Sequence, residues 1–176
     1  MPRTALIVEV PEAEPLVREW RLRHDNASIG VPAHLTLLFP FVAAEHFDNV
    51  LLDELRRLFA EHDAFSFELT RLEEFPDETV WLAPEPDDRF RRLTEAIAAR
   101  YPDYPPYEGI HDEVIPHLTV TSGDASLRTQ LEPVLAPHLP IAARADDVTL
   151  LVEDETGHWH AGTRFPLGRG GGLRRE

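Results

Sequence analysis

The sequence predicts an α+β protein built by internal duplication of a strand–helix–strand–helix–strand unit. Two observations support this fold class. A short apolar run containing a histidine and a threonine two positions apart occurs twice, at residues 32–41 and 115–121. The second histidine follows the first by 83 residues, which is close to half of the 176-residue chain. Helical and strand-like patterns also flank the two runs in the same order, so the halves correspond beyond the runs themselves.

The first unit opens with an apolar, β-rich segment at residues 5–10, followed by a helix that begins near Pro11. Proline suits the first position of a helix, because the N–H group that it lacks would have no helical partner there. After the first run, apolar residues recur at helical spacing over 45–61, and alternating apolar and polar residues predict a strand at 65–72. An acidic turn at 73–78 ends this unit.

The second unit repeats that order around its own histidine-bearing run. The elements that we predict for it are a strand at 80–83, a helix from about residue 87, a helix at 124–138, and strands at 141–145, 148–152 and 158–161. We therefore place the two internal repeats at about 4–78 and 79–167. The glycine-rich residues 168–176 have no periodicity, and we expect a flexible tail there.

The two repeated runs carry the residues that point to chemistry. Side chains alternate between the two faces of a strand, so His34 and Thr36 share one face, and His117 and Thr119 share another. An imidazole and a hydroxyl in this arrangement stand about 6–7 Å apart at the backbone, which leaves room for a small anion such as phosphate. One such pair is typical of a solvent-facing or core histidine. Its recurrence at half-chain spacing favours a functional site.

The segments His-Leu-Thr-Leu at 34–37 and His-Leu-Thr-Val at 117–120 resemble the paired motifs of the 2H phosphoesterase superfamily. Within that superfamily, the chain is most similar to the bacterial 2′-5′ RNA ligase family. The resemblance in the order of elements covers about residues 4–167. It implies a single bilobal domain over 1–167, with two lobes related by a pseudo-twofold axis. Each lobe would be an antiparallel sheet with helices packed outside, the motif strands would meet at a cleft, and no metal would be needed.

Composition restricts the class of function. The chain has no cysteine, which excludes a thiol nucleophile, a disulfide framework and a cysteine-based zinc site. It shows no signal-peptide pattern and no apolar run near the ~20 residues of a membrane span, so we expect a cytoplasmic protein without membrane association. The net charge of −15 disfavours a long duplex or strand of nucleic acid. We expect a monomer whose partner is a small nucleotide or an RNA terminus, with no cofactor.

A proline-rich segment at 102–113 is the least regular part of the chain and comes directly before the second run. Proline forbids a continuous helix or a central strand there, and an irregular loop beside a catalytic strand often contributes to function. Tyr104, Tyr107 and His111 are therefore candidates for substrate contact, and packing of a surface loop is the alternative. Trp81 is a further candidate, either for stacking on a nucleobase or for plain packing.

Other residues predict structure rather than catalysis. Phe39 and Phe41 have the same parity as the leucines of the first run, so we expect both in the core. Arg21 belongs to the basic end of the first helix, where cations are ordinary. His158 and His160 share a strand face, but no third ligand lies near them in the sequence, so we predict no metal site.

Two imidazoles across a cleft suit hydrolysis of a phosphodiester. With an ordinary pKa near 6.5, one neutral and one protonated histidine can coexist near neutral pH as general base and general acid. Thr36 and Thr119 can hold the non-bridging phosphate oxygens through their hydroxyls. Our leading hypothesis is a metal-independent phosphodiesterase that acts on 2′,3′-cyclic nucleotides or RNA ends bearing that group. The family implies a 2′-phosphomonoester product, and the sequence does not tell which histidine is the acid.

Three alternatives remain at this stage. The first is RNA end-joining or cleavage of a 2′-5′ linkage, a relative of the same reaction. The second is a non-catalytic nucleotide- or RNA-binding module with an intact cleft. The third is a metal-dependent hydrolase, which would lose its activity in the presence of a chelator.

Overall fold

Two antiparallel four-stranded sheets make up the fold across residues 1–111 and 113–169, which the computed structural model describes. The strands and α-helices in chain order are β1 (Thr4–Glu9), α1 (Glu14–His24), β2 (His34–Leu38), α2 (Asn49–Ala60), β3 (Phe65–Glu74), β4 (Val80–Glu85), α3 (Asp88–Arg100), β5 (Leu118–Thr121), α4 (Leu127–Leu135), β6 (Ile141–Ala145), β7 (Asp147–Glu153) and β8 (Trp159–Pro166). The predicted order of strands and helices is confirmed. Their boundaries shift by a few residues.

The two sheets have equivalent strand orders. The first sheet runs β2-β1-β7-β8 and the second runs β5-β4-β3-β6. The motif strands β2 and β5 lie at the edges of their sheets. Each is hydrogen-bonded to the strand that opens its own unit, β1 for β2 and β4 for β5. The predicted α+β fold with two antiparallel lobes is therefore confirmed.

The lobes do not coincide with the halves of the sequence. Strand β3 follows the first motif in the chain, yet it pairs with β4 and β6 in the second sheet. The first sheet is completed in turn by β7 and β8 from the second half. Each lobe therefore contains strands from both halves, and this exchange ties the two motifs into one core.

Each unit's first helix protects the motif strand of the other unit. Helix α1 packs against β5, and α3 packs against β2. The Thr94 hydroxyl of α3 donates to the Leu37 carbonyl at 2.7 Å, and the Ser122 N–H, just after β5, donates to the His24 carbonyl at 2.9 Å. Edge strands expose unpaired backbone groups, and these reciprocal helices cover them. The same packing brings the two motif edges together.

The alternation predicted for the motif strands is present. Leu35 and Leu37 are fully buried on the helix side of β2, whereas His34 and Thr36 are only half-buried on the other face. Phe41 is in the core, as predicted. The prediction for Phe39 is wrong, because β2 ends before it and strand alternation no longer fixes its direction. Its ring packs on a smaller apolar cluster at the cleft.

The chain near the end of the described residues pairs with the segment between α2 and β3. Gly168 donates its N–H to the His62 carbonyl at 2.7 Å and accepts from the Ala64 N–H at 2.8 Å. The rest of the predicted tail, residues 170–176, lies outside the described residues. None of the helices in the described part of the chain has the length and apolar character needed to cross a membrane.

Candidate active site

The cleft between the motif strands contains all four residues predicted from the repeated motif. His34, Thr36, His117 and Thr119 line one cavity of about 360 Å³. Both histidines are half-buried, so neither is lost to the core nor fully solvated. A second, larger cavity of about 630 Å³ adjoins the first and shares His117 and Thr119 with it.

The two histidines are held by the same backbone device. His34 Nδ1 lies 2.7 Å from the Pro32 carbonyl oxygen, and His117 Nδ1 lies 2.6 Å from the Ile115 carbonyl oxygen. A carbonyl oxygen can only accept, so Nδ1 carries the hydrogen in both rings. Each neutral ring therefore keeps Nε2 available to accept a proton, and each charged ring can donate one from Nε2. Thr36 Oγ1 lies 3.1 Å from Nε2 of His34.

The surroundings give the two histidines different proton affinities. Burial is the main cause that lowers the pKa of His34, and the positive charges of Arg21 and His117 act in the same direction, while the bond to the Pro32 carbonyl opposes them; the resulting pKa is about 4. Burial also lowers the pKa of His117, but the Ile115 carbonyl and the Asp77 carboxylate oppose that shift. The neutral form is therefore favoured at both sites, and His117 has a nearby carboxylate that favours its charged form.

Two aromatic rings support His117 from the second sheet. Phe75 stacks on Trp81 with centroids 4.8 Å apart, and both rings meet His117 edge-on, at 5.0 and 5.9 Å. Trp81 is only 7% exposed and lies opposite Thr119 in the strand pairing. Trp81 thus lies in the wall behind His117, with one face already covered by Phe75. Of the two alternatives predicted for Trp81, this arrangement favours plain packing, since Trp81 lines neither cavity.

Tyr107 reaches the cleft from the proline-rich loop. Its side chain lines both cavities, and its backbone N–H donates to the Phe39 carbonyl at 2.7 Å. Burial raises the pKa of Tyr107, and its polar contact with Thr36 partly opposes the rise. Tyr107 and Glu108 both adopt left-handed backbone conformations, with φ of 50° and 58°. Such conformations cost free energy for residues other than glycine and often occur at functional sites.

The other two candidates from the proline-rich loop, His111 and Tyr104, lie in different environments. His111 lines the second cavity, with its ring edge-on to Tyr107 at 5.7 Å. Tyr104 packs edge-on against Phe41 at 5.7 Å and borders the hydrophobic core instead of the cleft. The structure therefore does not bring Tyr104 to the site, because the loop turns between the two tyrosines.

Arg21 is a cleft-side residue whose environment the sequence did not indicate. It is fully buried and donates to the Asp25 carboxylate at 3.1 Å, the Asn26 side-chain oxygen at 2.7 Å and the Val31 carbonyl at 3.0 Å. Arg21 does lie in the basic last turn of α1, as predicted, but it is buried there because residues 25–31 supply its hydrogen-bond partners. Asp25 and Asn26, four and five positions after Arg21, were the available signal.

The first-sheet wall of the cavity is aromatic. Phe39 and Trp159 line it with the guanidinium of Arg3, and none of the three was a site prediction. The sequence did contain a signal for Trp159. The turns at 73–78 and 153–157 are each followed by a predicted strand that carries a tryptophan, Trp81 in the first case and Trp159 in the second. Nearby, the His158 and His160 rings are 4.9 Å apart, and His160 Nε2 lies 2.7 Å from the Asp154 carboxylate. Across the described residues, no group of three or more histidine, aspartate or glutamate side chains is arranged to hold a metal ion.

Comparison with protein families agrees with this fold and motif pair. The sequence profile of the 2′-5′ RNA ligase superfamily matches residues 9–157. The chain belongs to this superfamily of 2H phosphoesterases, and the resemblance drawn from the two motifs is confirmed.

Individual relatives are distant but span nearly the whole chain. A Geobacillus kaustophilus protein named "Putative phosphoesterase" is 26% identical over 163 residues, which covers 88% of this chain and 90% of that protein. A relative of the same name from Shouchella clausii is 25% identical over 150 residues, covering 84% and 77%.

Solved structures share the fold. Escherichia coli LigT, crystallised with 3′-AMP, superposes with a TM-score of 0.64 at 19% identity, covering 95% of this chain and 99% of LigT. A Thermus thermophilus protein superposes with a TM-score of 0.60 at 18% identity, covering 95% and 98%. At this level of identity, the likeness defines the fold.

Proposed function

We propose that this protein is a metal-independent phosphodiesterase that hydrolyses 2′,3′-cyclic phosphates of nucleotides or RNA ends to 2′-phosphomonoesters. The observation that carries the proposal is the pairing of His34 and His117 in one cavity, each with Nδ1 anchored to the carbonyl two residues before it. That anchoring prepares Nε2 of both rings for proton transfer. Membership of a phosphoesterase family supports the reaction class.

The proposed reaction needs one base and one acid. A water molecule attacks phosphorus while the neutral histidine accepts its proton at Nε2. The bond between phosphorus and O3′ breaks, and the protonated histidine gives its proton to O3′. The phosphate stays on O2′, and the two histidines end with exchanged protonation states that solvent resets. Hydroxyls of Thr36 and Thr119 would donate to the non-bridging oxygens as negative charge develops.

The electrostatics of the cleft favour one assignment of these roles. The strongly lowered pKa of His34 keeps its ring neutral and suits the general base. The Asp77 carboxylate stabilises the charged form of His117, which suits the general acid. The leaving oxygen would then lie towards His117, on the side of the second cavity.

The charges around the cavity favour a substrate with a single phosphate. The Arg21 guanidinium is occupied by Asp25, Asn26 and a carbonyl, and that of Arg3 is held by Glu153. The Asp77 carboxylate lines the second cavity and would repel further phosphates. The complex of LigT with 3′-AMP supports a small nucleotide as the ligand class.

Cleavage or joining of a 2′-5′ linkage is the second candidate function. The family name favours it, and the second cavity beside His117 offers space for a second nucleoside next to the phosphate. The same two histidines would serve, with a ribose hydroxyl in the place of water. The acidic lining of that cavity argues against a long RNA strand there.

A turnover assay in the presence of excess chelator separates these candidates. We expect nucleoside 2′,3′-cyclic phosphates to give 2′-phosphomonoesters, identified by chromatography against the 3′ isomers. Joined or cleaved 2′-5′ oligonucleotides would support the second function. Binding of nucleotides without any turnover would instead indicate a binding module, and loss of activity only with chelator would indicate a metal-dependent hydrolase.

A further inference from the structure

We infer that Arg3, Phe39 and Trp159 form a binding subsite for the planar base of the nucleotide whose phosphate lies between the two histidines. The subsite is on the first-sheet wall of the cavity. The inference rests on the proposed function for the identity of the substrate, and it adds which part of the molecule is recognised and where.

The three side chains form one packed unit. The Phe39 and Trp159 rings meet edge-on, with centroids 6.1 Å apart. The guanidinium carbon of Arg3 lies 5.5 Å from the Phe39 ring centroid and 5.7 Å from that of Trp159, within the range of a cation–π interaction. Glu153 accepts two hydrogen bonds from Arg3, each 2.8 Å long. The guanidinium is therefore fixed before any ligand arrives.

The subsite adjoins the proposed phosphate position. Arg3, Phe39 and Trp159 line the same cavity as His34 and Thr36. Between them, the wall of the cavity is formed by the apolar side chains of Ala5, Ile7 and Leu151. At about 360 Å³, the cavity lies at the small end of the roughly 300–1,000 Å³ typical of small-molecule sites. Its lining combines the polar motif residues with aromatic and apolar side chains, as a mononucleotide requires.

The charge at the subsite favours a flat neutral ring over a second phosphate. Glu153 compensates the charge of Arg3 through the two-point contact, so the pair presents little net charge. The Arg3 side chain is still 54% exposed, so part of the guanidinium remains open to a ligand. Guanidinium planes and aromatic rings are the groups on which proteins stack unpaired nucleobases.

A purely structural role is the competing explanation. The Arg3 backbone N–H also donates to Glu153 and its carbonyl accepts from the Glu153 N–H, so Arg3 fastens the N-terminus to β7. That role predicts effects on stability alone. A base subsite predicts selectivity between ligands that share a phosphate and differ in the base.

Calorimetric titration of the unmodified protein tests the subsite without requiring turnover. Adenosine 2′-monophosphate and ribose 2-phosphate carry the same phosphate on the same sugar, and only the first carries a base. We expect the nucleotide to bind at least 10-fold more tightly, since stacking on side chains commonly contributes that much per base. Equal affinities would overturn the inference.

Two substitutions then locate the selectivity. Arg3→Lys keeps the positive charge and a partner for Glu153 but removes the planar guanidinium. Phe39→Leu removes the aromatic ring and loses less apolar volume than Phe39→Ala would. We expect each to lower the ratio of the two affinities roughly 5- to 10-fold. The matched control is Arg71→Lys, because Arg71 pairs with Glu73 of its own strand β3 and with Glu85 of β4, and it lines neither of the two cavities.

The outcomes separate this inference from the proposed function. A selectivity ratio unchanged in both folded variants, with thermal unfolding as the check on folding, would place the base elsewhere and overturn the subsite. Selective binding of adenosine 2′-monophosphate without turnover of any cyclic phosphate would support the subsite and contradict the proposed hydrolysis. Turnover of cyclic phosphates with no preference for substrates that bear a base would support the proposed hydrolysis and contradict the subsite.

Discussion

The two motifs share a backbone geometry and differ in what surrounds it. In both, the carbonyl two residues before the histidine holds Nδ1, so both rings have the same tautomer. Around His34 lies the buried cation of Arg21, whereas His117 lies on Phe75 and Trp81 and has the carboxylate of Asp77 nearby. The repeated motif therefore supplies two imidazole rings with the same tautomer and the same backbone contact. The residues that are not repeated give them unequal proton affinities.

The strands that pair with the two motif strands, β1 and β4, also carry different residues at equivalent positions. Ile7 lies opposite Thr36 in the first sheet, and Trp81 lies opposite Thr119 in the second. Ile7 lines the first cavity together with Phe39 and Trp159, whereas Trp81 lines neither cavity and packs against His117. The residue opposite the motif threonine therefore belongs to the cavity lining on one side of the cleft and to the packing behind the histidine on the other.

The largest expected effect comes from removing either histidine. We expect His34→Ala and His117→Ala each to lower kcat on a nucleoside 2′,3′-cyclic phosphate by about 10²–10⁴-fold, as is typical of a lost general acid or base. A steady-state assay measures this, with His46→Ala as the control because His46 is exposed and outside both cavities. Full activity in either cleft variant would exclude the assigned roles.

A substrate with a good leaving group sharpens the comparison between the two histidines. Bis(p-nitrophenyl) phosphate releases a phenolate that needs no proton, so the general acid becomes dispensable. We expect His117→Ala to lose much less activity on this substrate than on the cyclic phosphate, and His34→Ala to lose activity on both. The opposite pattern would reverse the roles.

Replacing Arg21 should have the next largest effect, on stability and on one histidine only. Arg21→Met leaves Asp25, Asn26 and the Val31 carbonyl without their donor, and breaking a buried pair of this kind costs about 3–5 kcal/mol. Because the charge of Arg21 lowers the pKa of His34, that pKa should also rise towards 6.5. Urea unfolding and NMR titration measure the two effects.

Arg18→Met is the matched control for Arg21, since Arg18 is exposed on the same helix. It should leave the midpoint of urea unfolding unchanged within about 0.5 kcal/mol. If Arg21→Met were equally neutral, the guanidinium would contribute nothing net to the segment that it holds. The difference between the two sides of the cleft would then need another cause.

Much of the fold follows from local patterns, and its long-range pairing does not. Strand alternation and helical spacing are properties of short segments, so the strands around His34 and His117 could be predicted directly. The transfer of β3 to the second sheet could not, because alternation does not specify which edge a strand joins. For the same reason Phe39, one residue beyond the end of β2, was assigned to the wrong environment.

The residues of the candidate site also fall into those that local patterns predict and those that depend on long-range pairing. The four motif residues could be predicted because two strand-length patterns contain them all. Arg21 and Trp159 could not, since their place depends on how the 25–31 segment folds and on the pairing of β8 with β7. Tyr104 and Tyr107 are three residues apart in a loop without periodicity, and only the turn between them decides which one lines the cleft.

Replacing Tyr107, which lies beside Thr36 of the first motif, should have a moderate effect on kcat. Its side chain shares the first cavity with Thr36, and Thr36 acts on the pKa of its phenol. We expect Tyr107→Phe to lower kcat about 10-fold with little change in stability, because a neutral donor near the developing charge is lost. Tyr104→Phe is the control, since that ring packs on Phe41 outside the cleft. Equal activity of both variants would restrict Tyr107 to a packing role.

The smallest expected effect concerns Asp77 and the pH dependence of kcat/KM. The rate should rise through the lower histidine pKa, near 4 for His34, and fall through that of His117, which burial places below 6.5. The optimum of the free enzyme should therefore lie on the acid side of neutrality. The negative charge of Asp77 raises the pKa of His117, so Asp77→Asn should move the upper limb to lower pH and leave the lower limb in place.

Asp77 is exposed, so the shift should be small, about 2- to 3-fold in rate at pH 7, and should shrink further as salt screens the charge. Glu78→Gln is the matched control, because this neighbouring carboxylate of the same turn lines neither cavity. Movement of the lower limb by Asp77→Asn would mean that His117 has the lower proton affinity of the pair. The two halves of the cleft would then be unequal in the direction opposite to the one that their surroundings indicate.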